Sequence, residues 1–203
     1  MRILSLSGSR NRQGGTARAI DALSKGVEAA GGQWESLFLT EVNIERCRQC
    51  NDDGWGLCLT EERCIIEDDF AATTDRIRTS DAIVFATPVY FGDLSESMKA
   101  FLDRLRRIGF PKLLRSPIPI GPGPMQTGDG IPAIGVCYAG GSGNGTVSCC
   151  TNLERVLQIC GFDVVDMIPV RRQNLEMKLP VLEHVGRWLV TKPTSGPPVT
   201  PPR

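Results

Sequence analysis

Residues 1–30 read MRILSLSGSRNRQGGTARAIDALSKGVEAA. A short apolar run, Ile3-Leu4-Ser5-Leu6, leads into Gly8-Ser9-Arg10-Asn11-Arg12-Gln13-Gly14-Gly15-Thr16. In the segment that follows, Ile20, Leu23, Val27 and Ala30 recur at three- and four-residue steps, while Arg18, Asp21, Lys25 and Glu28 face away. The order is strand, loop, amphipathic helix. The strand is apolar without alternation, as a parallel strand covered on both faces requires. Glycines let the loop turn tightly and aim several N–H groups inward. Ser9 and Thr16 add hydroxyl donors, and the helix amino end adds a positive dipole. The segment reads as a phosphate cradle at the end of a buried strand. No Lys precedes Thr16, and G-x-G-x-x-G is missing, so a terminal monophosphate fits better than a dinucleotide pyrophosphate.

The same pattern recurs along the chain. Apolar runs at Ala82–Ala86, Ala133–Tyr138 and Val164–Ile168, with a weaker one at Trp34–Leu39, read as four more strands. Helical spacing connects Met98, Phe101, Leu105 and Ile108, then Cys150, Leu153, Leu157 and Cys160. It returns in Leu182, Val185, Trp188 and Leu189, with Pro180 placed in the first turn of that last helix. Phe70, Thr73, Thr74 and Ile77 give a shorter helix. Strict alternation of strands and helices predicts a doubly wound parallel sheet with right-handed crossovers. Five strands favour the flavodoxin-like order 2-1-3-4-5, with helices on both faces, over the six-stranded Rossmann version. One domain, 1–192, is expected, with a Cys-rich insert at 47–64. Gly121–Gly130 reads as an irregular loop, and the Pro-rich segment 193–203 as a disordered tail.

Composition narrows the function. The 203 residues carry 23 basic and 23 acidic side chains, so no basic footprint for nucleic acid or an anionic membrane surface is expected. No stretch approaches the roughly 20 apolar residues of a membrane span. One histidine, His184, leaves little room for a His-based triad or metal site and reads as a surface residue. Eight cysteines and no signal pattern point to reduced thiols in a cytoplasmic protein.

In open α/β sheets ligands bind at the carboxyl ends of the strands. Two further loops lie there. Thr87-Pro88-Val89-Tyr90-Phe91-Gly92-Asp93-Leu94 carries two adjacent aromatics that need something to pack on, a flat ring or the helix that follows. Ala139-Gly140-Gly141-Ser142-Gly143-Asn144-Gly145-Thr146 has the freedom to press backbone against a planar ligand. Backbone N–H groups of Tyr90 to Gly92 and Gly140 to Gly145 are expected to reach the edge of such a ring. The pairs Arg106-Arg107 and Arg171-Arg172 read as solvated faces.

The stretches G-S-R-N-R-Q-G-G-T (8–16) and T-P-V-Y-F-G-D-L-S-E-S-M-K-A-F-L-D-R (87–104) resemble the phosphate loop and the isoalloxazine loop of the NAD(P)H-dependent FMN reductase family. Arg10 stands where many of its members carry Pro. The resemblance implies bound FMN, NAD(P)H as co-substrate and a small-molecule electron acceptor such as a quinone or flavin. It also implies a homodimer with its interface near the flavin, or a homotetramer. By position, Ser9, Arg10, Gly15 and Thr16 would meet the phosphate. Thr87, Pro88, Val89, Tyr90, Phe91 and Gly92 would meet the ribityl chain and ring, and Gly140, Gly141 and Gly145 the far edge of the ring. No side chain is assigned a catalytic role, because the cofactor carries the chemistry.

Cys47, Cys50, Cys58 and Cys64 follow the second strand in C-x2-C-x7-C-x5-C spacing. Such density suits a soft metal or an iron–sulfur cluster. The segment resembles the compact motif of the iron–sulfur flavoprotein branch, with a longer gap before its third cysteine. Zinc, and free or redox-active thiols in a lid, stand as alternatives. Arg46, Arg48 and Arg63 flank the group and favour thiolates. Trp55 reads as a local core residue or a cover over the flavin. Cys137, Cys149, Cys150 and Cys160 read as small core hydrophobes. Three activities follow as expectations: a flavin oxidoreductase, an iron–sulfur electron carrier without a nicotinamide site, and a thiol sensor.

Overall fold

The computed structural model describes residues 1–115 and 130–191, with the backbone alone over 109–115. Nearly all of the Gly121–Gly130 loop and the 193–203 tail therefore lie outside the described residues. Five strands, β1 (Arg2–Ser7), β2 (Gln33–Phe38), β3 (Ala82–Pro88), β4 (Pro132–Ala139) and β5 (Asp163–Arg171), form one all-parallel sheet in the order β2-β1-β3-β4-β5. Among the described residues six α-helices accompany them, five between strands and the last after β5: α1 (Gly15–Ala29), α2 (Leu57–Thr60), α3 (Phe70–Arg78), α4 (Glu96–Arg115), α5 (Thr146–Ile159) and α6 (Leu175–Thr191). This is the flavodoxin-like arrangement expected from the apolar pattern. Helix α2 was not expected, because a single turn carries no periodicity.

Alternation along the buried central strand β3 sorts the core into two layers. Ala82, Val84 and Ala86 face Ile20, Leu23 and Val27 of α1 and Leu182 and Leu189 of α6. Ile83 and Phe85 face the layer that holds Phe70 of α3, Phe101 of α4 and Leu153 of α5. Helices α1 and α6 meet almost backbone to backbone. A Cβ added at Gly26 would lie 1.9 Å from the Glu183 carbonyl oxygen, and one at Gly186 would lie 2.2 Å from that of Leu23.

Helix α6 starts earlier than its apolar spacing suggests, so Pro180 sits in its interior rather than its first turn. The start is fixed upstream, where the Asn174 side chain accepts the Arg171 N–H at 2.7 Å and Leu175 is buried. Proline removes the bond to the Glu176 carbonyl, and Glu176 is exposed, so water can satisfy it. No helix among the described residues is long and apolar enough to cross a membrane.

Candidate functional site

The carboxyl ends of β1, β3 and β4 border an open cavity of about 880 Å³. Ser9, Gly15 and Thr16 line it from the first loop, Pro88 to Gly92 from the second, and Gly140, Gly141 and Gly145 from the third. Two expected residues lie off its wall. Arg10 is exposed to solvent. Thr87 is fully buried behind the loop, where its Oγ1 accepts the Ser95 N–H at 3.0 Å. It shapes the loop from beneath. Arg12 is turned outward onto Glu41 and the Phe38 ring.

The phosphate cradle is built as its composition requires. Gly14 is the N-cap of α1, no side chain caps the helix, and its first turn holds no acid. Gly14, Gly15 and Thr16 all line the cavity; the Gly14 N–H is spent on the Asn11 carbonyl at 3.3 Å, and the unpaired N–H groups of the first helical turn follow it. Buried Ser9 holds the loop by accepting the Asn11 N–H at 3.2 Å.

The second loop turns at Phe91 and Gly92. Tyr90 and Asp93 exchange N–H···O bonds of 2.9 and 3.0 Å, closing a two-residue turn with φ of 53° and 80° at its centre. Left-handed backbone is strained at a phenylalanine, and this one is fully exposed at the cavity rim. The exchange also consumes the Tyr90 N–H, which is therefore withdrawn from the expected donors to a ring. The turn is clamped to α5: Ser148 Oγ donates to the Gly92 carbonyl at 2.8 Å, and Asn152 Nδ2 to Asp93 at 3.2 Å. A Cβ at Gly145 would lie 2.6 Å from Gly92 Cα, so the second and third loops touch through bare backbone.

Tyr138 is a functional candidate the sequence reading missed. It is the penultimate residue of β4 and lines the cavity, and its ring lies over Gly15 so closely that a Cβ there would sit 2.1 Å from Cζ. Asn11, Ser142 and Asn144 complete the polar wall. Read as the last apolar residue of a buried strand, Tyr138 gave no signal except its position at the strand's carboxyl end. These residues fit a flat phosphorylated ligand: an uncapped helix start for the phosphate, and glycine backbone with aromatic rims for the ring.

A second, small and mostly apolar cavity lies under the Cys-rich insert. Cys47, Cys50, Cys58 and Cys64 all line it. All eight cysteines are free. Gly56 leaves room for Cys50, whose Cβ would lie 2.9 Å from a Cβ at that position. The insert backbone is left-handed at Gln49, Asn51 and Glu62. Among the described residues, no three His, Cys, Asp or Glu side chains converge tightly enough to hold a single metal ion. The four thiols line one small cavity, and a four-cysteine donor set suits an iron–sulfur cluster or a zinc ion.

Of the flanking arginines expected beside these thiols, Arg48 lines their cavity while pairing with Glu45, and Arg63 pairs with Glu61. Helix α4 supplies two others. Arg104, 1% exposed, makes a bidentate pair with Asp68 at 2.6 and 2.9 Å and donates to the Glu45 carbonyl at 3.0 Å. Burial works against its charge, but Asp68 and Cys64 outweigh this and raise its pKa. Arg107 corrects the expectation of a solvated face. It is half-buried, donates to the Gly54 carbonyl at 2.5 Å and stacks 4.3 Å from the Trp55 ring. Trp55 is thus a local packing residue. The remaining cysteines are buried as expected. Hydrogen bonding with Cys149 and Cys150, and burial, raise the Cys137 thiol, and burial alone raises Cys160.

The family model for NADPH-dependent FMN reductase matches residues 1–175. Among curated proteins, the chain is 29% identical over 115 residues to an iron-sulfur flavoprotein of Archaeoglobus fulgidus, covering 57% of this chain and 50% of that protein. It is 30% identical over 112 residues to an iron-sulfur flavoprotein of Methanocaldococcus jannaschii, covering 54% and 55%. The match spans about half the length of these relatives. Among solved structures, the NAD(P)H:quinone oxidoreductase from Methanothermobacter marburgensis superimposes with a TM-score of 0.68 at 21% identity, covering 97% of this chain and 99% of that one. RosB with bound 8-demethyl-8-formylriboflavin-5'-phosphate gives 0.63 at 17% identity, covering 96% and 82%. At these identities the superpositions show a shared fold.

Proposed function

The chain belongs to the NADPH-dependent FMN reductase family, and from that premise we propose that it is an oxidoreductase that takes hydride from NAD(P)H onto FMN and delivers electrons to a quinone, a flavin or another small acceptor. The observation that carries this reading is the cavity where the uncapped start of α1 meets two glycine-rich loops. FMN, when bound, supplies the hydride-accepting and electron-releasing chemistry. The protein's part is to bind, orient and exclude water. The α1 start and Ser9 hold the phosphate. The α5 clamp on the Tyr90–Asp93 turn fixes the rim. Backbone N–H groups of Phe91 and Gly92 favour negative charge at the edge of a flat ligand, as do those of the third loop other than Gly143, spent on the Gly140 carbonyl at 2.7 Å, and Asn144, spent on Ser142 Oγ at 3.4 Å. The strained, exposed Phe91 offers a face against which a nicotinamide or quinone can stack.

A second copy of the chain is the partner we propose for this rim, where exposed Tyr90, Phe91 and Val147 cluster, giving a homodimer or homotetramer. Eight free thiols suit a cytoplasmic setting.

The test is a spectrum and an anaerobic titration. Purified protein is expected to be yellow and to bleach with NADPH or NADH. Colour that neither nucleotide bleaches would overturn the reductase reading. Colourless protein that takes up no added FMN would overturn the cofactor assignment.

The four thiols around one cavity support a second reading, an iron–sulfur flavoprotein that carries electrons, with a cluster on Cys47, Cys50, Cys58 and Cys64. Anaerobically purified protein is then expected to contain iron and acid-labile sulfide. Cys50→Ser and Cys58→Ser should each remove them while sparing the flavin, and iron that survives both changes would defeat the ligand assignment.

A further inference from the structure

Arg104 and Arg107 stand three residues apart on α4 and therefore share one face, and both line the thiol cavity. Each has a buried Nε with no hydrogen-bond acceptor. An unsatisfied buried donor is destabilising, and more so when it is charged. Two of them on the wall of one cavity, beside four thiols, is a specific arrangement. Neither fork can turn away. Asp68 and the Glu45 carbonyl fix Arg104, while the Gly54 carbonyl and the Trp55 ring fix Arg107. Asp68 offsets the charge of Arg104. Arg107 brings a further positive charge, held by a carbonyl oxygen and a ring.

What such a wall suits is a soft anion. Thiolate ligands leave a cluster net negative, sulfur accepts N–H bonds, and both effects favour its reduced state because that state is the more negative. We infer that Arg104 and Arg107 are hydrogen-bond donors, and Arg107 also the counter-charge, for a sulfur-ligated anionic cluster held by Cys47, Cys50, Cys58 and Cys64, and that they raise its reduction potential. The inference rests on the iron–sulfur reading above. The two arginines act as positioning and tuning residues and are not ligands.

The experiment uses full-length protein reconstituted anaerobically with iron and sulfide. A dithionite titration is followed by electron paramagnetic resonance for the cluster and by absorbance for the flavin. Arg107→Met keeps an unbranched side chain against Trp55 and removes the charge and the donors. It is expected to retain its iron and to lower the reduced-to-oxidised ratio at fixed potential about tenfold, which is about 59 mV for one electron. The flavin midpoint should not move, and Arg107→Lys should recover most of the shift. Because Arg104→Gln alone strands a buried carboxylate, it is paired with Asp68→Asn, and the pair should move the cluster midpoint in the same direction. Iron lost from Arg107→Met but kept by Arg107→Lys would also support the counter-charge role. A cluster present with unmoved midpoints in both variants would overturn the inference alone. Wild-type protein that takes up no iron and sulfide would overturn the iron–sulfur reading and the inference with it.

Discussion

Gly15→Ala isolates the fit between the phosphate cradle and the cavity floor. The added Cβ would lie 2.1, 2.3 and 2.5 Å from Cζ, Cε2 and Cε1 of Tyr138. Carbon atoms rest at about 3.5–4.0 Å, so the ring must retreat by roughly 1.5 Å. Its backbone cannot follow. Tyr138 is paired with Pro88 on one side and Val170 on the other, and its carbonyl accepts the Val89 N–H at 2.8 Å. The ring therefore swings about its side-chain torsions, and the open space is the cavity itself. The ligand-free protein tolerates this, and its melting temperature should change by a few degrees at most. The bound state does not, because the displaced ring occupies ligand volume. Overpacking of this kind costs about 1–3 kcal/mol. A loss of about 2 kcal/mol corresponds to roughly thirtyfold in Kd, read by titrating apoprotein with FMN and following flavin fluorescence. In the Gly15→Ala background, Tyr138→Ala should restore part of the affinity, although alone it weakens binding. That coupling should be worth about 1–2 kcal/mol in a double-mutant cycle. Unchanged Kd in Gly15→Ala, or strictly additive effects of the two substitutions, would refute the reasoning.

Other residues make comparably sharp predictions. Gly186→Ala forces a methyl to within 2.2 Å of the Leu23 carbonyl oxygen; it should lower the urea midpoint by the equivalent of about 2–3 kcal/mol with an unchanged m-value, since two helices must separate. Asp68→Asn strands Arg104 and should cost about 3–5 kcal/mol in the same assay. Burial pushes the Asp68 carboxyl up, but the Arg104 pair and the N–H groups of Glu45 and Phe70 outweigh it and leave it below the ordinary carboxylate range. Its stabilising contribution is therefore present above about pH 4, the unfolded value, and is lost as pH falls from there toward the lower folded value. Wild-type stability followed against pH should drop through that window, and Asp68→Asn should remove part of the drop. Phe91→Gly relieves left-handed strain of about 1 kcal/mol, so the melting temperature should rise or hold while kcat/KM for the acceptor falls several-fold; an unchanged kcat/KM would exclude stacking at Phe91.

The sheet was legible because its signal is local: a strand buried on both faces must be apolar throughout, and Ile3–Leu6 and Ala82–Ala86 are. Its loops were legible because the fold places ligands at strand ends, and glycine is needed wherever backbone approaches backbone, as Gly145 does Gly92. What stayed hidden depends on contacts between distant segments. Tyr138 looks like one more core residue until Gly15, 123 positions earlier, is seen lying beneath it. Thr87 and Arg10 sit inside the right motifs, yet one points into the core and the other into solvent, a choice made by strand parity and by the path of the first loop. The spacing of the four cysteines was visible. The arginines that α4 turns toward them were not, because helical periodicity scores Arg104 as polar and expects it outside.

Helix α4 ties these observations together. Near its first turn, Ser97 Oγ donates to the Gly8 carbonyl at 3.0 Å, joining it to the first loop of the large cavity. Arg104 follows seven residues later, about 10 Å along the axis at 1.5 Å per residue, on the wall of the thiol cavity. One element thus braces the first loop of the large cavity and walls the thiol cavity, and its buried residues Met98, Phe101, Leu102 and Leu105 lock it to the sheet. A helix held this firmly fixes the separation of the two cavities. Rearrangement should therefore come from the insert, where Gln49, Asn51 and Glu62 already carry left-handed strain. Hydrogen exchange makes the consequence testable. Amides of residues 47–64 should exchange through local opening at far lower free energy than those of α4, and metal uptake by the thiols should slow the former while leaving the latter unchanged. Equal protection in the insert and in α4 before metal is added would mean that the insert is as rigid as the helix beneath it, and would count against a cavity that closes around its ligand.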